Sequence, residues 1–269
     1  MKDYYLKLLE NEENMRGSFS WITDEQYKYI KQNFHDLECN LKVFISYSSK
    51  DKHIAAIIKN ALSNLGQSSF LAHEDIVPSK EWQDEIINEL KTCNVFVPLI
   101  NENFKESEWT SQETGAAFIN DMEIIPISVY LPNQSFIQPY GFISKYQALK
   151  WTIDHNILNT NPAKITSDIQ EKIVQAFISK NKIIENVRNC FINSLVNSSN
   201  YTGSIMKSES ISYLNPFEME QLRMLVFGYI FNDQIRNSNV ASPVVKKLID
   251  DNKKQLDDIT RSIYENHNL

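Results

Sequence analysis

Glycine is scarce, with six residues in 269. Neither G-x-G-x-x-G nor G-x-x-x-x-G-K-[ST] occurs, which excludes the Rossmann fingerprint and the P-loop. A phosphate-bearing ligand would need another kind of grip. Arginine is scarcer still: Arg16, Arg188, Arg223, Arg236 and Arg261 are all there are, and none lies between Lys42 and Lys150. No bidentate guanidinium clamp on a phosphate can come from that stretch. Cysteine is limited to Cys39, Cys93 and Cys190. Their spacing fits a reducing compartment, with no disulfide frame and no zinc site. The histidines show no H-E-x-x-H and no cysteine partner at ligand spacing, so no metal site is expected. No Ser-His-Asp or Cys-His constellation can be assembled. Positive charge is short as well. The net charge of −7 and a pI near 5.3 argue against broad nucleic-acid binding, which needs clustered Lys and Arg.

Long hydrophobic runs are missing too. Ile124 to Ser144 carries no charge over 21 residues, a length that can span a bilayer. Pro126, Pro132, Pro139 and Gly141 interrupt it, so a strand followed by a loop explains it better. The N-terminus, MKDYYLKLLENEEN, is too polar and acidic for a signal peptide. A soluble, cytoplasmic protein with no membrane contact is expected.

What is present is ordinary globular material, 42% hydrophobic and 23% charged, with a clear change of pattern along the chain. Residues 1–41 look helical, with Thr23-Asp24 as a start and Tyr27, Ile30 and Phe34 at helical spacing. From Lys42 strands and helices alternate. Lys42 to Tyr47 is a short apolar strand. Ser48, three before Asp51, has a capping-box spacing. Ile54, Ile57, Ile58, Ala61, Leu62 and Leu65 make one helix face, and Gly66 closes it as a left-handed C′ residue. Gln67 to Ala72 is a weaker strand, 73–79 a polar loop, and Ser79 a cap for a helix bearing Trp82, Ile86 and Leu90. Asn94 to Ile100 is continuously apolar, as suits a strand buried on both faces. A helix over 108–120, a strand over 123–130, a proline-rich loop and a strand over 145–151 complete the series. Beyond Thr152 the chain is helical. Residues 197–212 read as a Ser/Asn linker, and Asn215-Pro216 and Ser242-Pro243 as helix starts.

Five strands alternating with helices imply a flavodoxin-like, doubly wound, five-stranded parallel α/β sheet with N- and C-terminal helical extensions. The boundaries are a helical extension over 1–41, the α/β domain with its last helix over 42–180, and a helical region over 181–269. In such sheets ligands sit outside the carboxyl ends of the strands. That directs attention to 46–50, 73–80 and 101–113.

Lys42-Val43-Phe44-Ile45-Ser46-Tyr47-Ser48-Ser49-Lys50-Asp51 resembles the first box of Toll/interleukin-1 receptor (TIR) domains. Glu74-Asp75-Ile76-Val77-Pro78-Ser79 lies where that family has its BB loop. Trp109-Thr110-Ser111-Gln112-Glu113 resembles the W-x-x-x-E segment of TIR domains that cleave NAD. The resemblance spans roughly residues 42–152 and implies an NAD+ nucleosidase of the bacterial kind. Such an enzyme splits NAD+ into nicotinamide plus ADP-ribose or a cyclic ADP-ribose isomer, as a signal or an NAD-depleting effector in antiviral defence. It also implies NAD+ as substrate with no cofactor, self-association through TIR loops, and a downstream effector that senses the product. The alternatives are a non-catalytic TIR interaction module and a virulence mimic of host TIR adaptors.

The residues fit such chemistry. Breaking the nicotinamide–ribose bond develops positive charge on the sugar, which a carboxylate at the ribose can stabilise. Trp109 and Glu113, one helical turn apart, share a face. Glu113 carries over as the catalytic carboxylate, and Phe44, Ser46, Tyr47, Asp75 and Trp109 as substrate contacts. Phe44 and Trp109 are equally suited to packing, and Asp75 to a solvated loop. Lys50, Lys80 and the helix start near Ser48 are further candidates for a pyrophosphate.

Overall fold

A computed structural model describes residues 12–71, 82–131, 134–153 and 162–268. They form two compact units. One runs from Asn40 to Val187. The other joins residues 12–39 to residues 188–268.

The first unit contains β1 (Lys42–Ser46), α3 (Lys52–Asn64), β2 (Ser68–Leu71), α4 (Trp82–Thr92), β3 (Val95–Ile100), α5 (Glu102–Glu106), α6 (Glu108–Ile119), β4 (Glu123–Ile124), β5 (Ile127–Tyr130), β6 (Leu149–Thr152) and α7 (Pro162–Ile178). The chain before it holds α1 (Glu12–Ser18) and α2 (Asp24–Asn33). All pairings are parallel, in the order β2-β1-β3-β5-β6, with β4 also on β3. β4 and β5 are one strand interrupted at Pro126, which has no N–H to give the ladder. With those two joined, the order is that of a flavodoxin-like doubly wound sheet, as the alternation of strands and helices implies.

Side-chain alternation sorts the core. Phe44 and Phe96 stack at 5.9 Å and join Phe70, Ile86, Leu90, Phe104, Ala117 and Ile124 in one cluster, the layer under α4 and α6. Val43, Ile45, Val95 and Val97 alternate with these and are buried as well. Phe104 and Ile100 extend the cluster to the carboxyl ends of the strands, where α5 begins.

Local signals explain most boundaries. Gly66, at φ 73°, closes α3 with paired bonds from Gly66 N to Ser63 O and Gln67 N to Leu62 O, both 2.9 Å. Thr23 and Gln26 form the reciprocal cap that opens α2. Ser48 does not cap by its side chain; a 3-10 turn over Ser49–Asp51 precedes α3. Asp51 bonds the side chain of Asn103 instead. The last strand starts at Leu149, because residues 141–143 form a 3-10 turn and Tyr146 N bonds Ile143 O.

The regular elements of the second unit are all helices among the described residues. The structure gives α8 (Ile184–Val196), which begins at the end of the first unit, then α9 (Tyr201–Ile211), α10 (Met219–Phe231), α11 (Asp233–Arg236), α12 (Ala241–Asn252) and α13 (Asp258–His267). The linker expected over 197–212 is instead helix α9. Its serines are helical because their hydroxyls bond nearby carbonyls, Ser204 to Tyr201 and Gln234, and Ser208 to Ile205. Their small side chains are buried. Neither proline pair opens a helix as expected. Glu218 precedes α10, with its N–H on Gln221 Oε1, and α12 starts at Ala241, before Pro243. α10 is apolar nearly all round and forms the unit's centre. Gly228 lets it approach Val196, where an added Cβ would lie 2.6 Å from a methyl group.

The cysteine expectation is overturned in one respect. Cys39 and Cys190 form a disulfide, with Cα atoms 5.2 Å apart across 151 residues of sequence. Spacing rules see short-range frames, and a pair this remote in sequence carries none. Cys93 stays a buried thiol, pushed up to about 12 by burial. Among the described residues no helix is long and apolar enough to cross a membrane, and 123–143 is strand and 3-10 turn where described.

Candidate active site

The carboxyl edge of the sheet is built by short-range bonds. β3 ends at Ile100, and Asn101 caps α5 by accepting from Phe104 N at 2.9 Å. Thr110 Oγ1 donates within reach of two carbonyls, Phe104 O at 2.6 Å and Ser107 O at 2.8 Å, which fixes the corner between α5 and α6. Thr114 Oγ1 bonds Thr110 O one turn on. These contacts set the rotation of α6, so that Ala117 enters the core cluster and Glu113, one turn earlier, faces the same way.

From the sheet side, Ser46 is two residues after Phe44 and therefore on the same face. It lies opposite Pro98, which cannot extend the ladder. Ser46 Oγ donates to Glu113 Oε2 at 2.5 Å, across 67 residues of sequence, and the bond is buried. Glu113 is 2% exposed and Ser46 fully buried. The second carboxylate oxygen, Oε1, is buried with no hydrogen-bond partner among the described residues. Burial pushes the carboxyl from 4.5 up to about 7, and the Ser46 hydroxyl, which favours the ionised form, holds it from rising further. Near neutral pH the group is thus close to half ionised. A buried carboxyl with one satisfied oxygen and one orphan is expensive as pure structure. It suits a site that accepts a hydroxyl from a ligand.

The structure therefore brings together Glu113 and Ser46. Phe44 sits fully buried between Phe70, at 5.5 Å, and Phe96. Tyr47 is fully buried just past β1. Trp109 is half-buried on the first turn of α6. Asp75, Glu74, His73 and Lys80 lie outside the described residues. Lys50 makes an exposed pair with Glu106 at 3.6 Å, and Asp51 is buried at the helix start that was a candidate for a pyrophosphate. A contribution the sequence did not reveal is Asp51 itself. It ties the β1–α3 loop to the β3–α5 loop through Asn103, and with Asn101, Tyr130 and Gln134 it lines a cleft of about 190 Å³ at the same sheet edge. Only the capping spacing pointed at Asp51, and it pointed to another role. Among the described residues no group of three or more His, Cys, Asp or Glu could hold a metal ion.

The domain is thus a doubly wound parallel α/β fold with a buried carboxyl group at the carboxyl edge of the sheet, held by a serine of the first strand, the edge where ligands sit in such folds. Residues 43–157 match the model of the TIR domain family. That stretch is thus similar to a family that includes both NAD-cleaving enzymes and self-associating signalling modules. No curated protein matches the chain.

Proposed function

We propose that the TIR domain cleaves NAD+ at the nicotinamide–ribose bond, as an NAD+ glycohydrolase or ADP-ribosyl cyclase. The observation that carries this reading is the half-satisfied Glu113 carboxylate at the carboxyl edge of the sheet. Oε2 is fixed by Ser46, and Oε1 has no partner among the described residues. In the reaction Oε1 accepts a ribose hydroxyl, and the ionised group stabilises the positive charge that grows as nicotinamide leaves. Nicotinamide departs as a neutral base and needs no general acid. Water then takes the anomeric carbon to give ADP-ribose and a proton, or a nucleophile of the same molecule closes a cyclic isomer. In this reading Trp109 and Asp75 are contacts for the substrate. The activity serves bacterial antiphage immunity, through a signal nucleotide or through loss of NAD+.

The near-complete burial of Glu113 favours a second reading, a non-catalytic module in which the carboxyl is only structural. The experiment that separates them is incubation of the purified full chain with NAD+ at several protein concentrations, with products resolved by chromatography and mass spectrometry. Nicotinamide release that Glu113→Gln abolishes supports the enzyme. Self-association without turnover at any concentration supports the module. Because TIR domains self-associate, specific activity is expected to rise with protein concentration.

A further inference from the structure

The helical unit holds a second concave site, unrelated to Glu113. Phe19 and Trp21 come from the segment after α1, Phe231 from the end of α10, Asp233 and Arg236 from α11, and His267 from the end of α13. Together they line a cleft of about 340 Å³, within the range of small-molecule sites. Its walls are aromatic. Phe19 meets Phe231 edge-on at 5.0 Å and Trp21 at 6.2 Å, and Trp21 meets His267 at 5.7 Å. Phe19 and Trp21 are only half-buried, so aromatic surface is left available to a ligand.

The cleft also has a fixed cation. The Arg236 guanidinium lies 5.8 Å from the centre of the Phe19 ring, donates to Ile230 O at 2.5 Å and pairs with Asp233. Such a guanidinium is already oriented and loses little freedom when it meets an anion. Burial, with the charges of Arg236 and Lys246, holds His267 below the usual histidine value. Among the residues that line the cleft, the Arg236 cation is matched by the Asp233 carboxylate it pairs with.

Aromatic walls and a pre-set guanidinium, which an anion would share with Asp233, suit a planar ring that carries a negative group. We propose that this cleft binds a mononucleotide-like ligand, its base stacked on Trp21 and its anionic group directed to Arg236. Base stacking on an aromatic side chain is worth about five-fold to over a hundred-fold in affinity. The site is read from the helical unit alone, so it stands whether or not the TIR domain cleaves NAD+.

The test uses the full chain carrying Glu113→Gln, which blocks turnover at the other site. AMP, GMP and adenosine are titrated by calorimetry, and the Trp21 indole N–H is followed by NMR. The expected result is saturable one-site binding of AMP or GMP, weaker binding of adenosine, and a shift of the Trp21 resonance. Trp21→Leu should weaken binding about five-fold or more. Absence of both saturable heat and a Trp21 shift with either nucleotide at millimolar concentration would overturn the proposal. So would binding that Trp21→Leu leaves unchanged in a folded protein. If Trp21→Leu fails to fold, the indole shift in the Glu113→Gln chain decides alone.

Discussion

Glu113→Gln tests the buried carboxyl through stability, independently of any activity. In the folded chain the group titrates near 7, against 4.5 for an ordinary glutamate. The folded state therefore holds this proton more tightly than the unfolded state does. Its contribution is most favourable at low pH, is lost as pH rises from about 4.5 to about 7, and stays lost above that. At about 1.4 kcal/mol per pH unit, the whole displacement is worth about 3 kcal/mol. Between about pH 5 and about pH 8, some 2–3 kcal/mol of it is expressed. Glutamine does not titrate. Its amide keeps an acceptor for Ser46 but brings an N–H₂ that lacks a partner, a cost of about 1–3 kcal/mol that does not change with pH. The stability difference between Glu113→Gln and wild type should therefore move in favour of the variant by about 2–3 kcal/mol on going from about pH 5 to about pH 8. Every other titrating group is common to both proteins and cancels. Urea unfolding of both proteins at the two pH values measures it. A difference that is constant with pH would refute the claim that this carboxyl is buried and half-satisfied.

Three further outcomes follow from the structure. Ser46→Ala removes the hydroxyl that favours the ionised carboxylate; the acidic limb of NAD+ cleavage should move to higher pH and activity at neutral pH fall, with the profile recovered by Ser46→Thr. An unmoved limb would mean that Ser46 does not hold Glu113. Gly228→Ala places a methyl group 2.6 Å from Val196 and should destabilise the helical unit by about 1–3 kcal/mol, seen as a lower midpoint in thermal unfolding. With Cys39 and Cys190 paired, denatured protein prepared without reductant should titrate a single thiol, that of Cys93, and Cys39→Ser should cost about 2–4 kcal/mol under oxidising conditions and little with reductant.

Much of the α/β domain was legible from local pattern. The apolar run at 95–100 with no alternation is what a strand covered on both faces requires, and the structure buries all six of its residues. Gly66 marked the end of α3 because only a residue tolerant of positive φ closes that turn well. The helical unit was less legible, since Ser and Asn signal loops in isolation. In α9 the serines instead bond carbonyls and let helices approach, which is tertiary context. At the site, W-x-x-x-E placed Glu113 on a helix, but its partner Ser46 lies 67 residues away. Register and strand alternation, not sequence spacing, aim that hydroxyl at the carboxylate. The same holds for Asp51 and Asn103, 52 residues apart. The disulfide was invisible for a related reason, because 151 residues of chain leave no local spacing to read.

The most direct test of the functional account is nicotinamide release from NAD+ by the purified full chain, measured across pH and protein concentration beside Glu113→Gln. The account predicts release that rises through about pH 7 as the carboxyl ionises, increases in specific activity with concentration, and disappears in the variant. Release that persists in Glu113→Gln, or none from wild type at high concentration, would contradict it.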